Sequence, residues 1–456
     1  MAESVTPESL HRWLEEHAIT SIRLQATNLE GSFIGKVLAP ARFLSGLSSG
    51  FAFSDVSFGL DLGNNPVFGF ALPSWRGELG DIFLHPDLAT LVVWEPGVAA
   101  VIGDFRTADG APLPVCPRSA ARTQQDRLRE LGFETVVAVE MEASVFATPI
   151  QEARDRNYRD LVPLGGTAGS LFHLAKTPDW YSYMGAVTAR LDALGIEWEA
   201  WNDEAAWGQV ELNLAPCDPV TAGDNWARAR QVMREVAFER DCCVTFMAKW
   251  SDEYGQGSHL NLSLQRDGAN AFFADGGPSD VMTHFLGGVM ATLRPATSLM
   301  LPFVTSYRRL HDLDGPPTTL TWGVDNKTAA VRAIAGQSRT SRLEYRMPGA
   351  DANVYLALAT VLAAGHLGLT QHLAPPPATD DMAWCLPEED LYIPRTISSA
   401  AAALREDTLL SGALGRDLVD YWLGTKQWEW LQFHTTGGEP DVGLTDWELQ
   451  RYFELA

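Results

Sequence analysis

The 456-residue sequence is poor in basic residues and in cysteine, and each shortage excludes classes of protein. Its 34 lysines and arginines stand against 58 aspartates and glutamates, and the resulting formal charge of −24 repels a phosphate backbone or an anionic membrane surface. We therefore expect neither nucleic acid nor a membrane as a partner. The five cysteines form an odd set without Cys-x-x-Cys spacing, which indicates neither a disulfide framework nor a zinc site. A reducing cytoplasm is the compartment expected.

The sequence also lacks any run of about 18 apolar residues, and no basic region followed by an apolar core opens it. These absences predict a soluble protein that is not exported. No internal repeat or low-complexity tract is present. With 46% hydrophobic and 20% charged residues, the composition is typical of a folded chain with two or three domains and a sizeable core.

Local patterns divide the chain into two domains. Thr6 as N-cap and Pro7 at the first helical position predict a short helix at the start. Short apolar runs broken by Gly, Asn, Pro and Asp then predict a small sheet up to about residue 106. A segment rich in Pro and Gly follows at 104–118, so we predict domains at 1–110 and 111–456. Helical patterns at 225–240 and 352–369 alternate with strands near 136, 208, 243, 259 and 343, which predicts an α+β fold.

Four of these strands alternate polar and apolar residues, so each has one polar face. The four polar sets are Glu140, Glu142 and Ser144; Gln209, Glu211 and Asn213; His259, Asn261 and Ser263; and Arg342, Glu344 and Arg346. For any single strand, the simplest interpretation is an antiparallel sheet with a solvated face. Solvated faces usually carry Thr, Ser, Lys and Glu interspersed, whereas these four carry Glu, Gln, Asn, His and Arg without a lysine.

This composition suits divalent cations and anionic substrates. Converging carboxylates repel each other and raise one another's pKa values unless metal ions neutralise them. Oxygen ligands with one imidazole favour Mg²⁺ or Mn²⁺ over Zn²⁺. Arginines on the same face are either surface ion pairs or anchors for carboxylates and phosphates, which the guanidinium fork matches. Metal, arginine and anion together are the arrangement of phosphoryl transfer.

Six segments in order give the chain a resemblance to the glutamine synthetase family over nearly its whole length. They are VEMEASVF, DEAAWGQVELNLAP, FMAKW with GQGSHLNLSL, TSYRRL, WGVDNKTAAVRAI and RLEYRMPGADANVYLALA, and the tail LTDWELQRYFELA looks like the family's usual ending. The resemblance implies a small β-grasp-like N-terminal domain and a large catalytic α/β domain with a metal-lined antiparallel sheet. It also implies a homo-oligomer, a dodecamer of two hexameric rings, in which a neighbour's N-terminal domain completes each active site.

The resemblance also implies roles for individual residues, including two metal ions per active site. The ligands of one ion would be Glu142, Glu204 and Glu211, and those of the other Glu140, His259 and Glu344. The glutamate substrate would contact Arg309, Arg346, Gly255 and Glu142. The ATP side would include Arg332, Arg342, Lys327, Ser263 and Asn261. Arg309 and Arg332 would be the catalytic pair that stabilises charge on the transferring phosphoryl group.

Departures from the family pattern concern the amine site. Members that use ammonia have a glutamate on a flap after the SYRRL segment, where this chain has Gly315 with Asp314 beside it. The aspartate that binds ammonium in the N-terminal domain could be Asp55 or Asp61, because the surrounding sequence does not match the usual loop.

Further departures change the size and polarity of the pocket. Tyr254 stands in place of an asparagine, Lys327 in place of an arginine and Asn261 in place of a common second histidine. Lys327 keeps the charge but loses the bidentate fork. Trp207 either adds bulk to the pocket or packs in the core.

Without the flap carboxylate, the pocket favours an organic amine over ammonium. We therefore predict an ATP- and Mg²⁺-dependent ligase that forms a γ-glutamyl amide through a γ-glutamyl phosphate. A small alkylamine or an aromatic amine is favoured over a polyamine, because no acidic cluster is evident. One alternative is a glutamine synthetase in which Asp314 supplies the flap carboxylate. The other is a catalytically silent member with a structural or regulatory role. Such a member is expected to have lost metal ligands, and all six predicted ligand positions keep the required residue type.

Overall fold

The computed structural model describes residues 5–67, 80–166, 171–174, 176–384, 386–438 and 443–455. Cys385 lies outside the described residues. Helices and strands alternate along the described chain, and the strands form two large sheets and one separate two-stranded hairpin. The predicted α+β class is confirmed.

The first sheet is built from the N-terminal part of the chain. Its six strands are β1 (Ser21–Thr27), β2 (Phe33–Leu38), β3 (Phe51–Ser54), β4 (Asp81–Pro86), β5 (Val92–Glu95) and β6 (Val98–Arg106). The order is β2-β1-β6-β4-β3, and β5 also pairs with β6. Only β1 and β6 run parallel among these pairs.

The second sheet has nine strands and contains all five strands expected in the larger domain. Its members are β7 (Glu134–Phe146), β8 (Trp198–Asp203), β9 (Gln209–Leu214), β10 (Cys243–Thr245), β11 (Ser258–Arg266), β12 (Ala269–Asn270), β15 (Trp322–Val324), β16 (Val331–Ile334) and β17 (Arg342–Tyr345). The hairpin between β12 and β15 consists of β13 (Phe273–Ala274) and β14 (Gly277–Pro278). The order of the main path is β15-β16-β17-β11-β7-β9-β8.

One pair in this sheet departs from the antiparallel arrangement that we expected. β15 and β16 are parallel, with Trp322 opposite Val331. Between them the chain loops back on itself, and Asn326 fixes this loop by donating to the carbonyls of Thr379 and Asp381. Because the loop returns to the start of β15, β16 runs in the same direction.

The helices flank the sheets and fill the C-terminal part of the chain. They are α1 (Leu10–Glu16), α2 (Pro40–Gly46), α3 (Pro117–Glu130), α4 (Ile150–Asp155), α5 (Pro178–Ala193), α6 (Pro219–Glu239), α7 (Asp280–Met300), α8 (Val304–Tyr307), α9 (Val354–Gln371), α10 (Ile397–Glu406), α11 (Leu409–Leu414), α12 (Arg416–Thr436) and α13 (Asp446–Tyr452). The apolar helix α9 is long enough to cross a membrane, but 72% of it is buried inside the protein, so it is a core helix.

The first helix begins later than the sequence predicted. Thr6 was expected as its N-cap, but α1 starts at Leu10 with Ser9 at the cap position. The reason is a local turn in which the Thr6 amide donates to Ser9 Oγ at 2.9 Å and the Ser9 amide donates to Thr6 Oγ1 at 3.3 Å. These reciprocal bonds stabilise a turn before the helix rather than its first turn.

The apolar face of β7 fixes the orientation of the second sheet. Val137, Val139, Met141, Ala143 and Val145 are each at most 1% exposed and belong to one hydrophobic cluster. Side chains of α5 and α6 belong to the same cluster. Because successive residues of a strand point to opposite faces, burial of these five turns Glu140 and Glu142 toward the other face.

Arg118 of α3 joins the two parts of the chain. Its side chain is 3% exposed and contacts Asp224 of α6 at 2.8 Å, Asp104 of β6 at 2.8 Å and Asp87 at 2.9 Å. Burial opposes the charge of Arg118, but the carboxylates, Asp224 first, outweigh it and raise the pKa of the guanidinium. We name this group, Arg118 with Asp87, Asp104 and Asp224, the arginine-centred cluster.

Candidate active site

Strand register brings distant carboxylates side by side on the free face of the second sheet. Strand β7 lies between β9 and β11, so Glu140 stands opposite His259 on one side and Asn213 on the other. Glu142 stands opposite Glu211. Residues that are 69 to 119 positions apart in sequence therefore become neighbours. We call this surface the carboxylate face.

The first group on this face consists of Glu140, His259 and Glu344. Their possible ligand atoms all lie within 4.8 Å of one another. His259 Nδ1 is 3.2 Å from Glu140 Oε2 and 3.9 Å from Glu344 Oε1. These are the three residues that the family resemblance assigned to one ion, and the fold brings all of them together.

The second group consists of Glu142, Glu211 and His259, again within 4.8 Å of one another. Glu204, which we expected in this set, is not part of the group, because it follows the end of β8 and its Oε1 accepts from Asn202 Nδ2 at 3.2 Å. It is nevertheless close enough to Glu142 for the two charges to interact. Glu204 thus lies beside the second group, and His259 lies between the two groups.

The pKa values divide the carboxylates of this face into two kinds. Burial, followed by the charges of Glu142 and Glu140, raises the pKa of Glu211 to about 9. Burial and the charge of Glu142 raise the pKa of Glu204 to about 7. Burial also acts on Glu344, but Arg346 and His259 outweigh it and lower the pKa of Glu344 to about 2. Glu211 therefore lacks the compensating charge that Glu344 has, and at Glu204 the charge of Arg346 offsets burial only in part.

The donor set fits divalent metal ions. Buried carboxylates and one imidazole shared between two groups form the oxygen-rich environment that Mg²⁺ and Mn²⁺ prefer. The uncompensated charge of Glu211 and Glu204 is the charge that such ions neutralise. The residues present can hold ions at both groups, and His259 contributes to each.

Gln209 orders the second group, and sequence analysis gave it no role. Its Nε2 donates to Glu142 Oε2 at 2.9 Å and to the Gly255 carbonyl at 3.2 Å. The amide of Gly257 also donates to Glu142 Oε2, at 2.7 Å. The position of Gln209 on the same polar strand face as Glu211 was the signal that could have identified it.

The glycines beside Glu142 are required by close packing. A Cβ atom at Gly255 would lie 2.6 Å from Arg309 Cγ. A Cβ atom at Gly257 would lie 2.8 Å from Arg309 Nη2 and 2.9 Å from His259 Nε2. Any side chain would displace both groups, so the backbone itself forms this wall of the site.

Arg309 is a buried cation with spare hydrogen-bond donors. Its side chain is 2% exposed, and its Nη1 donates to the Met347 carbonyl at 2.9 Å. Nε has no partner in the described structure. Burial lowers the pKa of Arg309 to about 10, and the charges of Glu142 and Asp351 oppose that effect. A buried guanidinium of this kind is suited to bind a carboxylate or phosphate.

The other predicted arginines and Lys327 differ in how they contact the carboxylate face. Arg346 bonds directly to Glu344, and Arg332 Nη1 donates to the same carboxylate at 2.9 Å. Arg342 Nε donates to Asn261 Oδ1 at 2.8 Å. Lys327 is exposed, and no contact with the carboxylate face is described for it.

A cleft of about 770 Å³ opens beside the carboxylate face. Glu140, Asn213, Asn261, Ser263 and Arg342 are among its lining residues. The three residues that the sequence placed near the nucleotide on strands β11 and β17 thus line one space, with Glu140 at its edge. Arg332 and Lys327 are not among the residues described as lining it.

The residues expected near the amine have distinct environments. Gly315 has a φ of +98°, and no atom lies within 4 Å of the position that a Cβ would occupy. Asp314 Oδ2 lies 3.6 Å from Lys249 Nζ. Tyr254 is 43% exposed and Trp207 42% exposed, which shows that Trp207 is not a core residue.

Both candidate aspartates of the N-terminal region make contacts within their own chain. Asp55 is buried, and its Oδ2 accepts from the Gly80 amide at 3.0 Å. Asp61 accepts from Trp428 Nε1 at 3.0 Å and from the Gly63 amide at 2.8 Å. Neither is described in contact with the carboxylate face of the same chain.

Comparison with known proteins agrees with this geometry. Residues 114–452 match the family model of the glutamine synthetase catalytic domain. The chain is 32% identical over 451 residues to the gamma-glutamylethanolamide synthetase of Streptomyces coelicolor, covering 98% of this chain and 95% of that protein. It is 30% identical over 454 residues to the glutamate–isopropylamine ligase of a Pseudomonas species, covering 97% of each. The solved GmaS/ADP complex has a TM-score of 0.78 and 25% identity, covering 97% of this chain and 98% of that chain.

The fold and the carboxylate face define the class, an ATP-dependent ligase that uses divalent metal ions. Within that class, the chain belongs to the glutamine synthetase family. Its relatives include ligases that join glutamate to organic amines.

Proposed function

We propose that this enzyme forms a γ-glutamyl amide from glutamate and an organic amine, with a small alkylamine or an aromatic amine favoured over a polyamine. The observation that carries the proposal is the amine side of the site. Gly315 stands in open space where a flap carboxylate would be needed for ammonium, and the neighbouring Asp314 is paired with Lys249. Without a flap carboxylate the site lacks a group to bind and deprotonate ammonium, and the open space at Gly315 leaves room for the substituent of an organic amine.

Two half-exposed aromatic side chains support the same choice. Trp207 precedes Gly208 and Gln209, and Tyr254 precedes Gly255, whose carbonyl accepts from Gln209. Both aromatic residues are therefore close in sequence to residues whose hydrogen bonds hold Glu142. Aromatic surface at such a place gains energy from apolar substituents of an amine and nothing from bare ammonium. The named relatives act on ethanolamine and isopropylamine, which are organic amines.

The proposed reaction begins with glutamate at Arg309 and Arg346 and with ATP in the cleft beside Glu140. A γ-carboxylate oxygen attacks the γ-phosphorus of ATP, the bond to the bridging oxygen breaks, and ADP leaves. The amine nitrogen then attacks the carbonyl carbon of the γ-glutamyl phosphate, phosphate leaves, and the nitrogen loses a proton. The spare donors of Arg309 and the guanidinium of Arg332 stabilise charge on the phosphoryl group as it transfers.

Divalent ions at the two groups would neutralise the phosphates and polarise their oxygens. Glu142, Glu204 and Glu211 would hold one ion, and Glu140, His259 and Glu344 the other. The hydrogen bonds from Gln209 and Gly257 hold Glu142 in one orientation, which fixes the ligand before any ion binds. Lys327 and Ser263 belong to the ATP side of the proposal.

Glutamine synthesis from ammonia is the second candidate function. It would need Asp314 to act as the flap carboxylate, and its pairing with Lys249 argues against that role. A catalytically silent protein is the third, and the presence of all six predicted metal-binding residue types argues against it. We also propose a cytoplasmic dodecamer in which Asp55 or Asp61 of a neighbouring subunit approaches the amine, which light scattering of the purified protein would test.

The experiment is phosphate release from ATP with Mg²⁺ and glutamate, scanned across ammonia, alkylamines, aromatic amines and polyamines. We expect release with one class of organic amine at least about tenfold above that with ammonia, a difference of roughly 1.4 kcal/mol in the transition state. Release only with ammonia would assign glutamine synthesis, and no release with any amine would favour a silent protein.

A matched control variant is Glu134→Gln. Glu134 lies on the same strand as Glu140 and Glu142 but at its exposed start, where it pairs with Arg129 on the surface. This variant should keep the wild-type pattern of amines.

A further inference from the structure

The loop between α8 and β15 makes an ion pair with the body of the protein at its tip. Lys249 Nζ lies 3.6 Å from Asp314 Oδ2, and the two side chains are 8% and 36% exposed, respectively. Lys249 is thus nearly buried while its partner reaches in from a surface loop. We call residues 311–317 the flap loop.

Lys249 lies on a rigid part of the site. The carbonyl of the preceding residue, Ala248, accepts from the Gln256 amide at 2.8 Å. The side chain of Gln256 is itself fixed, because its Nε2 donates to the Met247 carbonyl at 2.7 Å and its Oε1 accepts from Ser144 Oγ at 2.8 Å. Gln256 stands between the two glycines that pack against Arg309. The backbone next to Lys249 is therefore held by the segment that forms the wall beside Glu142 and Arg309.

The tip of the flap loop has little else to hold it. Leu313 has a φ of +73° and is 62% exposed, and the space around Gly315 is open. The Asp314 amide donates to the His311 carbonyl at 3.4 Å within the loop, and the bonds to residues outside the loop lie at its base, where Asp312 accepts from Thr318 and the Pro316 carbonyl accepts from Trp384 Nε1 at 2.8 Å. In the described structure, the Asp314 carboxylate is the charged group that ties the tip to the body.

We propose that the Lys249 and Asp314 ion pair is a latch that keeps the flap loop closed while the activated carboxylate waits for the amine. The inference rests on the proposed function, because only a reaction with an intermediate that water can destroy needs such a closure. An acyl phosphate is an intermediate of that kind, and loop closure is a common way to keep water out. Lys249 and Asp314 act by positioning the loop and do not touch the reacting atoms.

The latch makes a prediction that a merely structural ion pair does not make. The carboxylate of this pair lies on a partly exposed surface loop, so loss of the contact should change the melting temperature little. Loss of closure should instead raise the phosphate released per amide formed, because water competes with the amine. The expected rise is about fivefold, the factor that corresponds to the free energy of one such pair.

The test compares full-length wild type with Asp314→Asn, Lys249→Gln and the double variant. ATP, Mg²⁺, glutamate and the amine found in the scan are supplied, and phosphate and amide are both measured. We expect each single variant to release about fivefold more phosphate per amide, and the double variant to add little, because both changes remove the same contact. In wild type, the ratio should also rise with added salt, which screens an exposed pair.

Asp314→Glu keeps the charge, so its ratio of phosphate to amide should stay close to that of wild type. Asp380→Asn, on an exposed loop, should leave the ratio unchanged. If wild type is active and both Asp314→Asn and Lys249→Gln release no more phosphate per amide than wild type does, the latch is overturned and the proposed function is not. If a variant does not fold, the salt dependence of wild type decides, and a ratio independent of salt would overturn the proposal. A wild type that releases no phosphate with any amine would overturn the proposed function and the latch together.

Discussion

Two groups of buried carboxylates in this protein have opposite electrostatics. In the arginine-centred cluster, Arg118 contacts Asp87, Asp104 and Asp224, each within 2.9 Å. On the carboxylate face, Glu211 stands opposite Glu142 near Glu204, and no described ion pair involves Glu211. Each carboxylate of the first group thus contacts a cation, whereas on the carboxylate face Arg346 and Arg332 pair with Glu344 and leave Glu211 without one among the described residues.

The pKa values show what this difference means. Burial tends to raise the pKa of Asp87, but the hydrogen bond and charge of Arg118 outweigh it, and the value falls below the ordinary one. Burial raises the pKa of Glu211 to about 9, and neighbouring carboxylates add to the effect. A carboxylate group with an internal cation holds the fold together, whereas one without it is prepared for a cation from outside.

The largest effect expected is on activity. Glu142→Ala should lower ATP turnover by at least about a hundredfold, because a ligand for a catalytic ion is lost. The melting temperature should change little, because the carboxylate faces the site and not the core. Phosphate release and thermal unfolding measure both effects. Unchanged activity would contradict the assignment, and Glu134→Ala on the same strand is the control.

The arginine-centred cluster should respond in the opposite way. Arg118→Met removes the cation that contacts Asp224 and leaves Asp87 and Asp104 with Arg122 alone, so it should lower the free energy of unfolding by about 3 to 5 kcal/mol. Denaturant unfolding measures this loss, and Arg12→Met is the control, because Arg12 is 72% exposed and pairs only with Glu16 on the surface. A loss as small as that of the control would show that Arg118 is not the charge that holds the cluster.

Metal ions should stabilise the carboxylate face specifically. At Mg²⁺ concentrations about a hundredfold above the dissociation constant, the free energy of unfolding should rise by about 2.7 kcal/mol per site. A chelator should reverse the shift. In Glu211→Gln the shift should be much smaller, while Arg118→Met should keep it. Equal shifts in wild type and Glu211→Gln would exclude Glu211 from the metal site.

The pH dependence of stability in metal-free protein also separates the two groups. Glu211 has a folded-state pKa of about 9 against an ordinary value of 4.5, so its contribution is fully present below pH 4.5 and is lost as the pH rises through 9. Asp87 has a lowered pKa, so its contribution is present above its ordinary value of 3.8 and is lost as the pH falls. The free energy of unfolding of wild type should therefore fall between pH 5 and about 9, and it should fall less in Glu211→Gln. A decline of the same size in that variant would contradict the shift.

Several features of the fold could be predicted because they depend on neighbours in sequence. The alternation in VEMEASV predicted β7 and its two faces, and the structure confirms both. The start of α1 was wrong, because Thr6 and Ser9 bond to each other in a turn that the capping pattern did not distinguish from a helix. The parallel pairing of β15 and β16 was also missed, and the loop between them is bonded through Asn326 to residues more than fifty positions away.

Within the site, residue types were predictable and their grouping was not. Glu140, His259 and Glu344 lie together as the resemblance implied, whereas His259 rather than Glu204 completes the second geometric group. Gln209 was placed on the correct face without a role, and its bonds to Glu142 and Gly255 required the folded chain. The pairing of Lys249 with Asp314 joins two segments about sixty residues apart that no local pattern connects.

The sequence by itself determined which side chains share a face of each strand, because side-chain direction alternates with a fixed period in any extended backbone. It also determined the family, through residue types in a conserved order along the chain. Only the tertiary structure decided that Glu142 stands opposite Glu211 and that Glu211 has no cation of its own. Strand register, burial and charge compensation depend on contacts between distant segments, and these are the quantities that turn a polar strand face into a metal-binding site.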